Sequence, residues 1–293
     1  MIYLKLKCFI PLFLCSFLVS GQLSDLAKLD YTLLPSGGNK TEYSRVRALF
    51  NYPIKLNTKN SSYLIVGLDY SKIGTVFTEE TTFDYSSLED FQLLDLNIGY
   101  TTKLKNNWRI GVRMTPGIST NASINDWRSS TINLSGMLVF LKEKKEVVKP
   151  WKLILGVSYS ANRGFPFPLP FISYNKKFHP NWAYNIGVPK SNLQYHFNDR
   201  HKLKLYAELD GFTGNLSEGL LLENNNVAHS VNISLIVGGL HYEYYITKRL
   251  QLYARTAYIL RNNTSLRDRD RERIQELDTN NLLYLRTGIR LKI

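Results

Sequence analysis

The chain has 293 residues, of which 44% are hydrophobic and 21% charged, with 37 Lys and Arg against 24 Asp and Glu. Past the first twenty residues no apolar stretch of about eighteen residues occurs, which excludes a bundle of membrane-spanning helices. Both cysteines, Cys8 and Cys15, lie at the N-terminus, so the remaining chain has no disulfide and no cysteine-ligated metal site.

The first predicted element is a secretory leader. Two lysines precede an apolar run over residues 8–19, and Ser20 and Gly21 supply the small residues of a cleavage site. We therefore predict a signal peptide over residues 1–21 and one domain over residues 22–293. Without the leader the chain keeps 35 basic against 24 acidic side chains, a net charge of +11. This excess favours anionic partners, such as lipopolysaccharide or anionic solutes, over nucleic acid.

Beyond the leader, apolar and polar residues alternate with a period of two through most of the chain. For example, Val46, Ala48 and Phe50 alternate with Arg45 and Arg47. This period is typical of strands with one apolar face, and helical spacing is nearly absent. We predict strands near residues 25–34, 42–56, 61–73, 91–101, 108–117, 128–142, 151–160, 170–178, 182–188, 191–197, 201–211, 229–246, 250–261 and 281–293.

The connections between these strands alternate in length. Short polar links follow the even-numbered strands, and longer segments follow the odd-numbered ones, except for a short link near residues 189–191. Short turns on one rim and long loops on the other are typical of outer-membrane barrels. The long connections lie around residues 74–90, 118–128, 161–169, 212–228 and 262–280.

These patterns predict an all-β fold, a transmembrane antiparallel up-and-down β-barrel of about fourteen strands. A closed barrel pairs every backbone group and turns its apolar stripes to lipid, so its other face surrounds a wet lumen. The last ten residues, YLRTGIRLKI, alternate up to the terminus. They resemble the C-terminal signal of assembled outer-membrane proteins, with Ile293 in place of the usual phenylalanine. The resemblance implies an interaction with the barrel-assembly machinery.

The alternation directs a set of basic residues towards the lumen, where they outnumber the acids. A ring of Arg or Lys in a narrow pore favours anions. The alternative is that these charges pair with acids and fill a closed lumen, and the sequence leaves both open. The predicted lumen-lining residues are Arg45, Arg47, Arg109, Arg113, Lys202, Lys204, Arg286 and Arg290.

Aromatic residues recur where strands meet the short turns. This is the level at which a membrane-interface girdle is expected, although the same residues could be core residues of a soluble sandwich. The predicted interface aromatics are Trp108, Trp151, Trp182, Tyr100 and Phe178.

No constellation predicts catalysis, so we expect no enzyme, no metal and no cofactor. The five histidines, at 179, 196, 201, 229 and 241, fit no metal-ligand spacing, and no Ser or Asp stands out beside one of them. The segment RGFPFPLPF, residues 163–171, is stiff enough either to fold into the lumen or to form a rigid hairpin tip, and we favour the hairpin tip. The alternating charges of residues 267–278 predict a solvated loop.

Several stretches resemble a family of uncharacterised bacterial outer-membrane proteins, a domain of unknown function found mainly in Bacteroidota. They are DYTLLPSG, RALFNYPIKL, YLIVGLDY, PFISYNKKFHPNWAYNIGVPKSNLQYHFNDRH, LDGF and LRTGIRLKI. The resemblance covers most of the chain after the leader. It implies a barrel in the outer membrane of a Gram-negative bacterium and brings no known ligand.

From the residues we predict a passive or selective pore for small solutes, with a bias towards anions. The alternative is a closed-lumen structural or surface-interaction barrel, whose long loops bind lipopolysaccharide or a protein partner.

Overall fold

The computed structural model describes residues 25–36, 41–57, 59–77, 85–122, 131–165, 167–222, 225–277 and 283–292. The predicted leader and Ile293 lie outside these residues. The described residues include the short 3-10 helices Tyr85–Leu88 and Lys105–Asn107, and no described helix has the length and apolar character to cross a bilayer. The strands are β1 (Asp25–Leu34), β2 (Thr41–Asn57), β3 (Ser62–Phe77), β4 (Asp90–Lys103), β5 (Trp108–Thr120), β6 (Ile132–Lys144), β7 (Trp151–Tyr159), β8 (Leu169–Lys177), β9 (Trp182–Val188), β10 (Lys190–His196), β11 (His201–Leu221), β12 (Val227–Tyr245), β13 (Leu250–Arg267), β14 (Arg273–Leu277) and β15 (Leu283–Lys292).

Fourteen of these strands form a closed antiparallel barrel. Each strand from β1 to β12 pairs with the next one in sequence, β12 pairs with β13, and β13 pairs with β15. The ring closes where β1 pairs with β15, for example at Leu29 opposite Ile289. The short β14 also pairs with β13, further towards the long-loop rim than β15. The predicted barrel of about fourteen strands is confirmed.

The two faces of the wall have opposite character. Leu29, Phe50 and Leu68 face outward and are 50%, 56% and 52% exposed, whereas the inward-facing Asp30 and Asp69 are 2% and 4% exposed. A soluble sandwich would bury the large apolar side chains and expose the acids. The reversed arrangement is the one expected of a barrel whose outer face contacts lipid.

Tight turns connect the strands at one rim. In the turn between β4 and β5, Asn106 and Asn107 have φ values of 57° and 62°. Asparagine tolerates this left-handed region better than other residues with a side chain, which suits it to a sharp reversal. The first strand begins and the last strand ends at this same rim, where Asp25 lies opposite Lys292.

The wall is uneven in height, and the sequence predicted its short strands at residues 182–188 and 191–197 but not the full length of β11 and β13. β9 and β10 have seven residues each, whereas β11 has 21 and β13 has 18. The long connections predicted around residues 212–228 and 262–280 are therefore largely strand. Around residues 211–216 both faces of β11 are buried, so the alternation that marks a strand with one wet face is lost there.

The apolar outer face gives a test within one strand. Phe50 and Leu56 face outward on β2 and are both 56% exposed, but Phe50 lies near mid-strand and Leu56 beside the short turn. We expect Phe50→Arg to lower the free energy of unfolding by about 2–4 kcal/mol and Leu56→Arg by about 0–1 kcal/mol. Urea unfolding in lipid vesicles measures both. Equal losses would contradict a lipid-facing belt.

Candidate functional site

The candidate site is the lumen, because the predicted basic side chains converge there. Arg45, Arg47 and Arg286 line a central cavity of about 230 Å³. Lys202, Lys204 and Arg290 line a larger cavity at the short-turn rim. Arg113 lines a small cavity near β2 to β6. Arg109 lies close to the short-turn end of β5 and donates to the carbonyl oxygen of Ser61 at 3.1 Å.

Asp210 is the centre of one group of ion pairs. Its carboxylate accepts hydrogen bonds from Nη2 of Arg45 at 3.1 and 3.2 Å, and from Nη2 of Arg286 at 2.5 Å. The hydroxyl of Tyr284 donates to the same carboxylate at 2.7 Å. Arg286 also lies 3.6 Å from Asp30, which pairs with a lysine of β1. One group thus joins β1, β2, β11 and β15 across the lumen.

Asp69 holds a second group. Arg47 donates to its carboxylate from Nε at 2.8 Å and from Nη2 at 2.5 Å, and Arg163 donates at 2.8 Å. The neighbouring Asp95 accepts a hydrogen bond at 2.9 Å from the side chain of Asn162. Because Asn162 and Arg163 belong to the connection between β7 and β8, this connection reaches the opposite wall.

Two glutamates hold the remaining groups. Glu208 accepts from Lys190 at 2.7 Å and from Arg255 at 2.9 Å. Glu243 accepts from Lys204 and from Arg290, both at 2.6 Å. Across these groups, five acids each contact two cations, so the described lumen carries an excess of positive charge.

Some lumen cations have no acid within ion-pair distance among the described residues. Arg113 is exposed to water although it faces the interior. Lys177 and Lys202 line the cavity at the short-turn rim, where Lys202 lies over the ring of Tyr245 at 4.5 Å. These cations present their charge to water in the lumen.

The long-loop half of the lumen is filled by apolar side chains. Phe91 and Phe212 pack at a centroid distance of 5.6 Å, and Phe212 stacks on Tyr43 at 5.8 Å. We call the whole set the apolar plug. It comprises Leu34, Tyr43, Ile73, Leu88, Phe91, Leu93, Tyr206, Phe212, Leu216, Leu222, Ala228, Val231, Ile233, Leu235, Val237, Ala257, Ile259, Leu266, Leu277 and Tyr284.

The end of β11 stays paired with β12 but reaches across the interior to β5. Asn215 forms a bridge with Thr120 of β5, and the hydroxyl of Ser119 donates to the carbonyl of Thr213 at 2.6 Å. The bend lies at Gly211, whose φ is 140°, and a Cβ there would strike the carbonyl of Ile233. Only glycine permits this close backbone approach.

The connection after β7 packs against this crossing, which corrects the favoured hairpin tip for residues 163–165, whereas Phe167 is 52% exposed. The carbonyl of Gly164 accepts hydrogen bonds from the side chains of Asn232 and Ser234 on β12. The carbonyl of Asn162 accepts from the backbone of Thr213 at 3.1 Å. Residues 161–165 therefore fold into the lumen, because buried polar groups on β11 and β12 offer them hydrogen bonds. The predicted solvated loop at residues 267–278 is also partly ordered, as β14.

The predicted interface aromatics lie near the short-turn rim. Tyr100, Phe178 and Trp182 are exposed, whereas Trp108 and Trp151 are partly buried. Trp108 lies under the ammonium of Lys142, and Trp151 packs against Tyr174. Their role as a membrane girdle stays a prediction.

The histidines are spread over the barrel. His241 is buried beside Glu243 at 3.4 Å, and His201 contacts the hydroxyl of Tyr242 at 2.5 Å. His196 lines the cavity at the short-turn rim. No cluster of three His, Cys, Asp or Glu with metal-binding geometry occurs among the described residues.

The sequence reasoning missed several members of the ion-pair groups. Lys28 and Asp30 follow the alternation of β1 and face the lumen, but neither is among the predicted lumen-lining residues. Lys190 lies beside the short link after β9, and Arg163 lies in a connection, where alternation gives no signal. Their positions follow from tertiary contacts.

Comparison with known proteins identifies one matching family and several solved structures of low sequence identity. A family profile described as "Domain of unknown function (DUF6268)" matches residues 32–292. No curated protein matches the sequence significantly.

Similar solved structures are channels of low sequence identity. The TodX deltaS2S3 mutant monoaromatic hydrocarbon channel is 10% identical, with a TM-score of 0.42 over 91% of this chain and 89% of that chain. The Pseudomonas putida toluene transporter TodX is 10% identical, with a TM-score of 0.39 over 92% and 89%. A mutant of the Rh. blastica porin is 9% identical, with a TM-score of 0.22 over 91% and 98%.

The Asp210 group predicts a large effect of one neutral substitution. Asp210→Asn leaves Arg45 and Arg286 buried without their shared carboxylate, so we expect a loss of about 3–5 kcal/mol in the free energy of unfolding. Glu276→Gln, which removes an exposed pair with Arg273, should change it by less than about 0.5 kcal/mol. Urea unfolding in vesicles compares the two. An unchanged midpoint for Asp210→Asn would show that this group does not hold the lumen together.

Proposed function

Because this chain belongs to the DUF6268 family, whose description names no activity, we propose its function from the geometry of the lumen. We infer that it is an outer-membrane channel selective for small anionic solutes, closed in the state described above. The proposal has three parts: a location, a selectivity and a closed state.

The outward face supports the location. Large apolar side chains cover it on all sides of the ring, including Ile98 on β4, Leu155 on β7 and Leu205 on β11. Exposing so many apolar side chains to water would be costly, whereas acyl chains accommodate them. A barrel of this kind belongs to an outer membrane, with its short turns on the periplasmic side. Outer-membrane lipid, lipopolysaccharide and the barrel-assembly machinery are its expected partners there.

The charge balance of the lumen carries the selectivity. The five acids that form ion pairs each contact two cations, which leaves their own charge neutralised. Arg113, Lys177 and Lys202 then face water without an acid at ion-pair distance among the described residues. In a narrow, low-dielectric passage such cations raise the local concentration of anions and repel cations. A selective pore therefore fits the lumen better than an unselective one.

The apolar plug and the crossing of β11 support the closed state. Together with residues 161–165 they fill the long-loop half of the lumen, so passage requires this half to move. Within the described parts of β11 and β5, their contact is a single bridge with few hydrogen bonds, unlike the continuous ladders of the wall. We propose that this bridge separates when the channel opens.

Selectivity is tested by the reversal potential in planar bilayers under a KCl gradient. We expect single-channel steps with an anion-selective reversal potential, and Arg113→Gln should shift it towards zero because a water-facing lumen charge is lost. Lys105→Gln removes an exposed turn cation outside the lumen and should leave it unchanged. A cation-selective current would overturn the proposal.

The closed state is tested with an engineered crosslink, T120C with N215C. These residues are bridge partners, and the chain beyond the predicted leader has no other cysteine. A disulfide between neighbouring strand residues is geometrically feasible. We expect the oxidised form to be silent and the reduced form to conduct as the wild type does. Equal conductance of the two forms would show that the bridge does not separate during opening.

The filled lumen also favours a second candidate, a closed structural barrel that binds lipopolysaccharide or a partner through its long loops. Ion pairs and the apolar plug would then serve stability alone. Absence of any single-channel step in the wild type and in the reduced crosslink variant would support this candidate against the channel.

A further inference from the structure

A large basic cavity opens at the short-turn rim, and the Glu243 ion-pair group forms only part of its lining. It has a volume of about 700 Å³ and is lined by residues of β1, β8 to β12 and β15 and of the turn after β12. We call it the vestibule. Its lining residues are Asp25, Asn175, Lys177, Ala183, Gln194, His196, Lys202, Lys204, Glu243, Tyr245, Lys248, Arg290 and Lys292.

The charges of the vestibule are unbalanced. Six of its lining residues are Lys or Arg and two are acids. Glu243 already contacts Lys204 and Arg290, so it does not neutralise the others. Asp25 alone then faces the remaining four lysines of the vestibule.

Two of these lysines contact the ring of the same aromatic residue. The ammonium of Lys202 lies 4.5 Å from the ring centroid of Tyr245, and that of Lys292 lies 5.0 Å from the same centroid. Lys292 also donates to the hydroxyl of Tyr245 at 2.9 Å. Tyr245 therefore fixes two like charges at the wall of one cavity. An anion bound beside them lowers the electrostatic free energy of this arrangement.

Neutral groups suited to an anion lie beside these lysines. Asn175 and Gln194 contribute side-chain amides to the lining. Nε2 of His196 is buried and has no hydrogen-bond partner in the described structure. Amide and imidazole N–H groups donate to anionic oxygens, and lysines bind phosphoryl groups as point charges. The vestibule thus combines charge with directional donors.

We propose that the vestibule binds one small solute with two or more adjacent anionic groups, of the diphosphate class. A volume of this size exceeds a single phosphate and is within the range of small-molecule sites. Four lysines match a ligand of several negative charges better than a monovalent ion. As the substrate class of the channel this rests on the proposed function, but the binding itself does not require conduction.

Inorganic pyrophosphate is the probe, titrated calorimetrically into the barrel in phosphatidylcholine nanodiscs at about 0.15 M KCl, where weak surface attraction is screened. We expect saturable binding of one pyrophosphate per barrel. K177Q with K202Q should weaken it at least about tenfold, because two charge-assisted contacts are lost. K177R with K202R should keep it within about threefold.

The matched control is K105Q with K149Q, which removes two exposed lysines from other turns of the same rim. It should leave the affinity within about twofold, since long-range attraction is screened. Absence of saturable binding, or equal weakening by the control, would overturn the proposal and indicate an adventitious ion only. A heat-modifiability gel establishes that every variant is folded.

A second lipid, phosphatidylglycerol, tests whether the vestibule binds a free solute or a lipid headgroup. If nanodiscs containing phosphatidylglycerol abolish pyrophosphate binding, a lipid headgroup occupies the vestibule and the free-solute proposal fails. If pyrophosphate binds to a barrel that never conducts, the proposed anion site is supported and the proposed channel function is contradicted. The two proposals therefore fail by different measurements.

Discussion

The fold depends on the pairing of every strand with two neighbours. In hydrocarbon an unpaired backbone N–H or C=O group costs several kcal/mol, so a sheet with an apolar outer face has to close. Here the closure lies between β1 and β15, the first and last strands of the ring. The barrel is therefore closed only when β15 has paired with β1. The alternation of apolar and polar residues follows from the same constraint, since one face meets lipid and the other the lumen.

Once the ring is closed, the lumen must accommodate its own charges. Buried acids such as Asp210 and Glu243 are stabilised only where cations from other strands reach them. Five acids each have two cations, and this organises the middle of the barrel into groups that span several strands. In the long-loop half of the lumen, Phe91 and Phe212 pack together within the apolar plug. The excess of cations remains at the wet surfaces of the lumen, where water and solutes can reach it.

Much of this architecture was predictable from the sequence, because the strand period is visible wherever the two faces differ. The predicted inward positions of Arg45 and Arg286 follow from that period alone. The partners of these residues do not, since Arg45 and Asp210 are 165 positions apart and nothing local joins them. The crossing of β11 was missed for a related reason. Around Gly211 both faces of β11 are buried, so apolar and polar residues no longer alternate there. The inward fold of residues 161–165 depends on hydrogen bonds with Thr213 and Asn232, which are distant in sequence.

The unequal strand lengths have a consequence for the surrounding bilayer. At about 3.3 Å per residue and a tilt of about 40°, the seven residues of β9 or β10 span roughly 18 Å, less than the roughly 25 Å of a typical apolar band. Strands β12 and β13, with 19 and 18 residues, exceed that band. Lipid beside β9 and β10 must therefore thin, whereas lipid beside β12 and β13 keeps its full depth. The hydrophobic mismatch is therefore asymmetric around the barrel. The surrounding bilayer is thinner on the side of β9 and β10 than on the side of β12 and β13.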